Sequence, residues 1–131
     1  MTYMEELQKS RRWYLSHEIL YLEPDDVSNE RELLVWENLI LINANDPDEA
    51  YQKALQHGLD SQCEVKVDGQ PRRFKFKGLK NLVLIYDDLE DGAEIEWLET
   101  TLDKEELEKL IRAKQDMHAF RPVEIDGDSD L

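Results

Sequence analysis

The sequence predicts an α+β domain, a mainly antiparallel sheet of about five to six strands with two helices. Three observations carry this reading. Arg72 to Glu99 reads as strand, bend, strand, turn, strand. Two helices are announced by capping residues, Asp46 and Asp103, each followed by apolar residues at helical spacing. The strand-like runs outnumber the helices and are joined by hairpin signals, which favours antiparallel pairing.

Residues 1–11 are polar, an arm or short helix with Met4 and Leu7 as its apolar anchors. Arg12 to Leu22 is the first strand. Trp13, Leu15, Ile19 and Tyr21 share one face with His17, and Tyr14, Leu20 and Leu22 share the other with Ser16 and Glu18. Apolar residues on both faces place it inside the sheet. Pro24 ends it and opens an acidic loop to Arg31. Leu33 to Asn43 is the second strand, again apolar on both faces.

The first helix begins with Asp46 at the N-cap, Pro47 at the first helical position and Glu49 where a capping box needs it. Ala50, Ala54 and Leu55 form its apolar stripe, and Gly58 is expected to end it in a left-handed conformation. Cys63 to Val67 is a short strand, and Asp68-Gly69 turns it into a hairpin. Phe74 and Phe76 then alternate with Arg73, Lys75 and Lys77 until Gly78 interrupts. Leu82 to Tyr86 is apolar throughout, so it should be covered on both faces. After a polar turn ending at Gly92, Ala93 to Trp97 alternates again and is expected to pair back. If Trp97 is buried there, Trp97→Ala should cost roughly 3–5 kcal/mol. Asp103 and Glu106 form the capping box of the second helix, whose stripe is Leu107, Leu110 and Ile111. One domain is expected over residues 12–114, followed by an acidic, disordered tail over 115–131.

A chain of 131 residues with 40% hydrophobic content has room for one sizeable core, and a formal net charge of −15 gives it a strongly acidic surface. Such a surface repels phosphates and anionic membranes, so neither nucleic acid nor membrane is an expected partner, and a basic protein is. The single Cys63 forms no internal disulfide. The first residues lack the apolar core of a signal peptide, and no apolar run reaches the roughly 20 residues of a membrane span. The expected location is the cytoplasm.

Candidate chemistry is sparse. His17, His57 and His118 have no paired spacing, so metal ligation has little support. His17 reads as a satisfied core or rim histidine, and His57 as one favoured by a helix C-terminus. Cys63 lies six positions after His57, but a buried structural cysteine is the stronger reading. Asp126, Asp128 and Asp130 echo the start of a calcium loop, but Leu131 follows where the loop's later ligands belong. The acidic run from Asp87 to Glu99, with Glu94 and Glu96 on one face, reads as a charged turn and a wet sheet face. Arg73, Lys75 and Lys77 form an anion-binding strip on paper. Phe74 and Phe76 point away from those charges, so cross-strand pairing with Glu94 and Glu96 is favoured over nucleic-acid binding.

Several pieces in this order resemble a bacterial family, number 4288 in the series of domains of unknown function. They are Trp13-Tyr14, Glu49-Ala50-Tyr51-Gln52-Lys53-Ala54, Phe76-Lys77-Gly78-Leu79 with Leu82, Tyr86-Asp87, and Asp91-Gly92-Ala93-Glu94-Ile95. The resemblance spans roughly Arg12 to Trp97 and implies a small bacterial α+β domain. It transfers no catalytic residue.

The reading that follows is a non-enzymatic interaction module, of the inhibitor, immunity or adaptor kind, with no catalytic, cofactor-binding or metal-binding residue assigned. The alternative is a small-molecule-binding protein or enzyme with a pocket between helix and sheet. Three strands apolar on both faces exceed what two helices can cover, so a homodimer is expected, with Tyr14 and Trp36 at its interface.

Overall fold

The computed structural model describes residues 11–24 and 32–121. The chain divides after Trp97 into two compact units.

Among the described residues, the first unit is a four-stranded sheet with one long helix. Its strands are β1 (Arg12–Leu22), β2 (Val35–Ala44), β3 (Cys63–Val67) and β4 (Gln70–Ile85), and its helix is α1 (Pro47–Asp60). The order across the sheet is β2-β1-β4-β3, and every pairing is antiparallel. β1 is central, as its two apolar faces require. The antiparallel α+β reading therefore holds, but the sheet has four strands and not five to six.

Two local effects account for the difference. Residues 72–77 and 82–86 do not form separate strands. β4 runs through Gly78 because two register shifts against β1, between His17 and Glu18 and between Ile19 and Leu20, absorb Lys80 and Lys77 as extra residues. Residues 93–97 form no strand at all. The Asp87 carboxylate accepts from the Glu94 N–H at 3.1 Å, and the Glu90 carbonyl accepts from the Ala93 N–H at 3.0 Å. The turn thus captures backbone donors that a strand would need. Trp97 is 69% exposed, so the large loss expected on its truncation does not apply.

α1 starts as its sequence demands. The Asp46 side chain accepts from the Glu49 N–H at 2.8 Å, and the Glu49 carboxylate reaches the Asn45 N–H at 2.6 Å, one residue ahead of the cap. Its end differs from expectation. Gly58 lies inside the helix, which continues to Asp60 and is capped at Ser61. Gly58 is needed for a different reason: a Cβ there would sit 2.3 Å from the Phe76 ring. Ala50, Ala54 and Gly58, spaced by four, give α1 a flat edge that lies close on the sheet.

The core is the sheet face beneath α1. Tyr14, Ile42, Ala44, Ala50 and Ala54 form one cluster, and Leu20, Leu22 and Phe74 form another toward β3. Trp36 stacks on Phe74 with ring centroids 3.6 Å apart. The β3–β4 hairpin turns through Asp68 (φ 52°) and Gly69 (φ 79°), two left-handed residues that match the twist of the strands.

The second unit carries α2 (Lys104–Lys109), with the capping box between Asp103 and Glu106 intact. Two single 3-10 turns follow, Lys114–Asp116 and His118–Phe120, where the Lys114 ammonium lies 5.2 Å from the centre of the Phe120 ring. The stripe of Leu107, Leu110 and Ile111 is exposed. Asp126, Asp128 and Asp130 lie outside the described residues.

Candidate functional site

The first unit presents three arrangements that could act on something else: a histidine–carboxylate pair beneath α1, a histidine between two carboxylates on the opposite face, and the uncovered part of that opposite face.

Beneath α1, Glu18 is fully buried, pointing from β1 toward the last turn of the helix. A buried carboxylate needs a charged or hydrogen-bonding partner. His57 supplies it: Nδ1 lies 2.9 Å and 2.8 Å from the two Glu18 oxygens. The His57 side chain is 45% exposed, and Nε2 has no partner among the described residues. A carboxylate that fixes the Nδ1 proton and leaves Nε2 free is how a general base is oriented. The Ser61 hydroxyl lies 3.5 Å from the same Nδ1 and donates to the His57 carbonyl at 2.8 Å, so it is not placed as a nucleophile for Nε2. Cys63 packs toward Leu20, Leu22 and Phe74, and no hydrogen bond joins it to His57 among the described residues.

On the opposite face, His17 is buried between Glu37 of β2, with Nδ1 to Oε2 at 2.7 Å, and Glu96, with Nε2 to Oε2 at 2.9 Å. Carboxylates only accept, so both contacts are hydrogen bonds at once when both ring nitrogens carry protons. Lys80 adds a contact to Glu37 at 3.1 Å. The His17 hydrogen bond first, and the Lys80 ammonium second, hold the Glu37 carboxyl below its ordinary range. With both nitrogens engaged, His17 is a clamp joining β1, β2 and the segment before Trp97. Glu96, expected to face the basic strip, pairs with His17 instead.

The rest of this face is half covered. Leu15 and Ile85 are buried, whereas Trp13, Val35, Leu39 and Leu41 are 40–55% exposed. A hollow of about 630 Å³ opens beside Trp13 and Ile85, with Arg11, Arg12, Asp87 and Asp88 in its wall. A second, of about 310 Å³, is lined by Val83, Ile95 and Trp97 among others. Neither lies between α1 and the sheet.

The residues singled out from the sequence are dispersed. Tyr14 lies in the core beneath α1, where burial pushes its hydroxyl pKa up. Trp36 is 40% exposed and stacked on Phe74. Arg73 and Lys77 are exposed and Lys75 is half-buried. Lys77 sits at a bulge, out of step with the other two. None of the three forms an ion pair with Glu94 or Glu96, because residues 93–97 are not the neighbouring strand that pairing needed. Glu18 and Glu37 were not singled out at all. The signal for Glu18 was a carboxylate on an apolar strand face opposite a helix carrying a histidine.

A sequence profile described as a domain of unknown function, DUF4288, matches residues 13–97. The chain belongs to that family. The matched range ends at Trp97, where the first compact unit also ends. Both histidine–carboxylate arrangements and the half-covered face lie within it. No curated protein and no solved structure matches the chain. No helix among the described residues is long and apolar enough to cross a membrane, and no group of three or more His, Cys, Asp or Glu there could hold a metal ion.

Proposed function

We propose that this family member is a non-enzymatic interaction module that receives a basic polypeptide on the half-covered face of its sheet. The observation that carries this is the exposure of Trp13, Val35, Leu39 and Leu41 on that face. Apolar surface bordered by polar groups marks protein interfaces, and the border beside Trp13 carries Asp87 and Asp88 together with Arg11 and Arg12. The chain's net charge of −15 adds long-range attraction for a cationic partner. Inhibitor, immunity and adaptor proteins all fit this description.

The test is capture from a cell lysate at low and at high salt, using the wild-type chain, Trp13→Lys and the double variant Asp87→Asn with Asp88→Asn. A basic protein is expected that is retained at low salt, weakened at high salt and lost with both variants. Recovery that ignores salt, survives both variants, or yields only nucleotides or metabolites would overturn the proposal.

One observation favours a second reading, that of a small-molecule-binding protein or enzyme: the free Nε2 of His57, oriented by buried Glu18. In that reading His57 is a general base. A ligand whose binding is lost in His57→Gln while the fold is retained would select it.

A further inference from the structure

We propose that β2 pairs edge to edge with β2 of a second copy of this chain, about a two-fold axis at Ile40, so that two sheets join into one. Leu39 and Leu41 belong to both readings, but the pairing also uses the backbone of the sheet's rim, which the basic-partner reading does not.

Among the described residues β2 is an edge strand. Its outward backbone groups can be assigned. The Leu22 N–H donates to the Leu34 carbonyl at 2.9 Å, in step with the β1–β2 ladder. Antiparallel strands alternate, so even-numbered residues of β2 turn their backbone groups toward β1, and Val35, Glu37, Leu39 and Leu41 turn theirs outward. The ladder behind them runs from Arg12↔Ala44 to Tyr21↔Val35 without a register shift, which keeps the rim straight.

Natural edges are blunted by shortness, lysine, proline or bulges. β3, the other edge, is five residues long and exposes Glu64 and Lys66. β2 has ten residues, no proline, no lysine and no bulge. Its one charged residue, Glu37, is engaged by His17 and Lys80 on the sheet face and does not guard the rim.

The strand is also complementary to itself. A two-fold axis at Ile40 sets Leu39 against Leu41 on both sides and Glu37 against Asn43 at both ends. On the α1 side it sets Trp36 against Ala44, large against small. An axis at Asn38 would instead put Glu37 against Leu39. Lys53 donates to the outward Asn43 carbonyl at 2.7 Å, which marks where the free rim ends and centres the pairing on Leu39 and Leu41. Matched cross-strand pairs and isologous symmetry favour a second copy as the occupant. Repulsion between the acidic bodies is screened beyond about 8 Å at physiological salt.

Sedimentation equilibrium of the full chain at micromolar concentration is expected to give about twice the 15.5 kDa chain mass. Leu39→Pro deletes an outward N–H, which an edge strand tolerates. It should halve that mass while circular dichroism and thermal unfolding stay close to wild type. If Leu39→Pro fails to fold, Ile40→Cys in a Cys63→Ser background decides the matter. The two Ile40 positions form a non-hydrogen-bonded pair with Cα atoms about 4.5 Å apart, within disulfide reach. A covalent dimer should form on oxidation there, and not with Val35→Cys in the same background. A monomeric wild type, or a dimer that crosslinks equally at both positions, would overturn the proposal.

Discussion

The two faces of the sheet each carry a histidine held by carboxylate, and they invert one another. Beneath α1 the acid is buried and the histidine half exposed: Glu18 has 0% of its side chain accessible and His57 45%. On the opposite face the histidine is buried and the acids are reachable: His17 has 8%, Glu37 35% and Glu96 17%. The inversion decides what each can do. On the covered face the group that cannot reach water is a carboxyl with one partner, and that partner keeps a free nitrogen. On the open face the enclosed group is a ring with both nitrogens satisfied, held by acids that water also reaches. The first arrangement is fragile and chemically open. The second is tolerant and chemically closed.

The sharpest way to break this comparison is to remove each histidine in turn. His57→Ala leaves Glu18 buried without its partner, and a buried polar group left unsatisfied costs about 1–3 kcal/mol. Glu18→Gln keeps an acceptor for the His57 ring and should cost about 1 kcal/mol. His17→Ala leaves Glu37 and Glu96 to solvent and should cost clearly less than His57→Ala. Urea unfolding at neutral pH measures all three. Equal losses for the two histidine deletions would mean that the faces do not differ in this way.

Gly58→Ala probes how closely α1 lies on the covered face. Alanine inside a helix normally gains up to about 1 kcal/mol over glycine. Here the added methyl would meet three Phe76 ring carbons at 2.3–2.6 Å, and overpacking of that kind costs about 1–3 kcal/mol. A net destabilisation is expected, read as a lowered midpoint of thermal unfolding. A raised midpoint would show that the helix can lift off the sheet without loss.

Ser16 is a smaller test of the same face. Its hydroxyl is fully buried and has no hydrogen-bond partner among the described residues. An unpaired buried hydroxyl is a liability, so Ser16→Ala should raise stability by about 1 kcal/mol. Unchanged or lower stability in urea unfolding would mean that the hydroxyl is satisfied.

Much of the covered face was legible in the sequence, and little of the open one was. Asp46, Pro47 and the alanine stripe placed α1, and the two-sided strand Arg12 to Leu22 placed β1, because caps and periodicity are local properties. Gly58 was misread because a helix-end glycine and a glycine needed for close packing look alike until the partner, Phe76, is known. Phe74–Lys77 and Leu82–Tyr86 looked like two strands because bulges preserve pairing while breaking the period-2 pattern. The apolar face of β1 marks His17 as a satisfied core or rim histidine, and it is buried between two carboxylates. Its partners, Glu37 and Glu96, lie 20 and 79 residues away, a separation that no local pattern spans.

The smallest expected effect is the pH response of the open face. The Glu37 carboxyl is held below its ordinary value of 4.5, first by the His17 hydrogen bond and then by Lys80. A carboxyl whose pKa is lower folded than unfolded binds its proton more readily in the unfolded chain. Acid therefore favours unfolding. The contribution of Glu37 is complete above 4.5 and is lost as pH falls through the lowered folded value. Glu37→Gln should reduce stability at neutral pH and flatten the acid limb of the stability curve below 4.5. The effect is modest because Glu37 is partly exposed and water screens its partners. Denaturant unfolding of wild type and Glu37→Gln from neutral pH to pH 3 tests this. Parallel curves through the acid range would mean that the clamp on His17 holds without ionised Glu37, and the open face would then owe its tolerance to Glu96 alone.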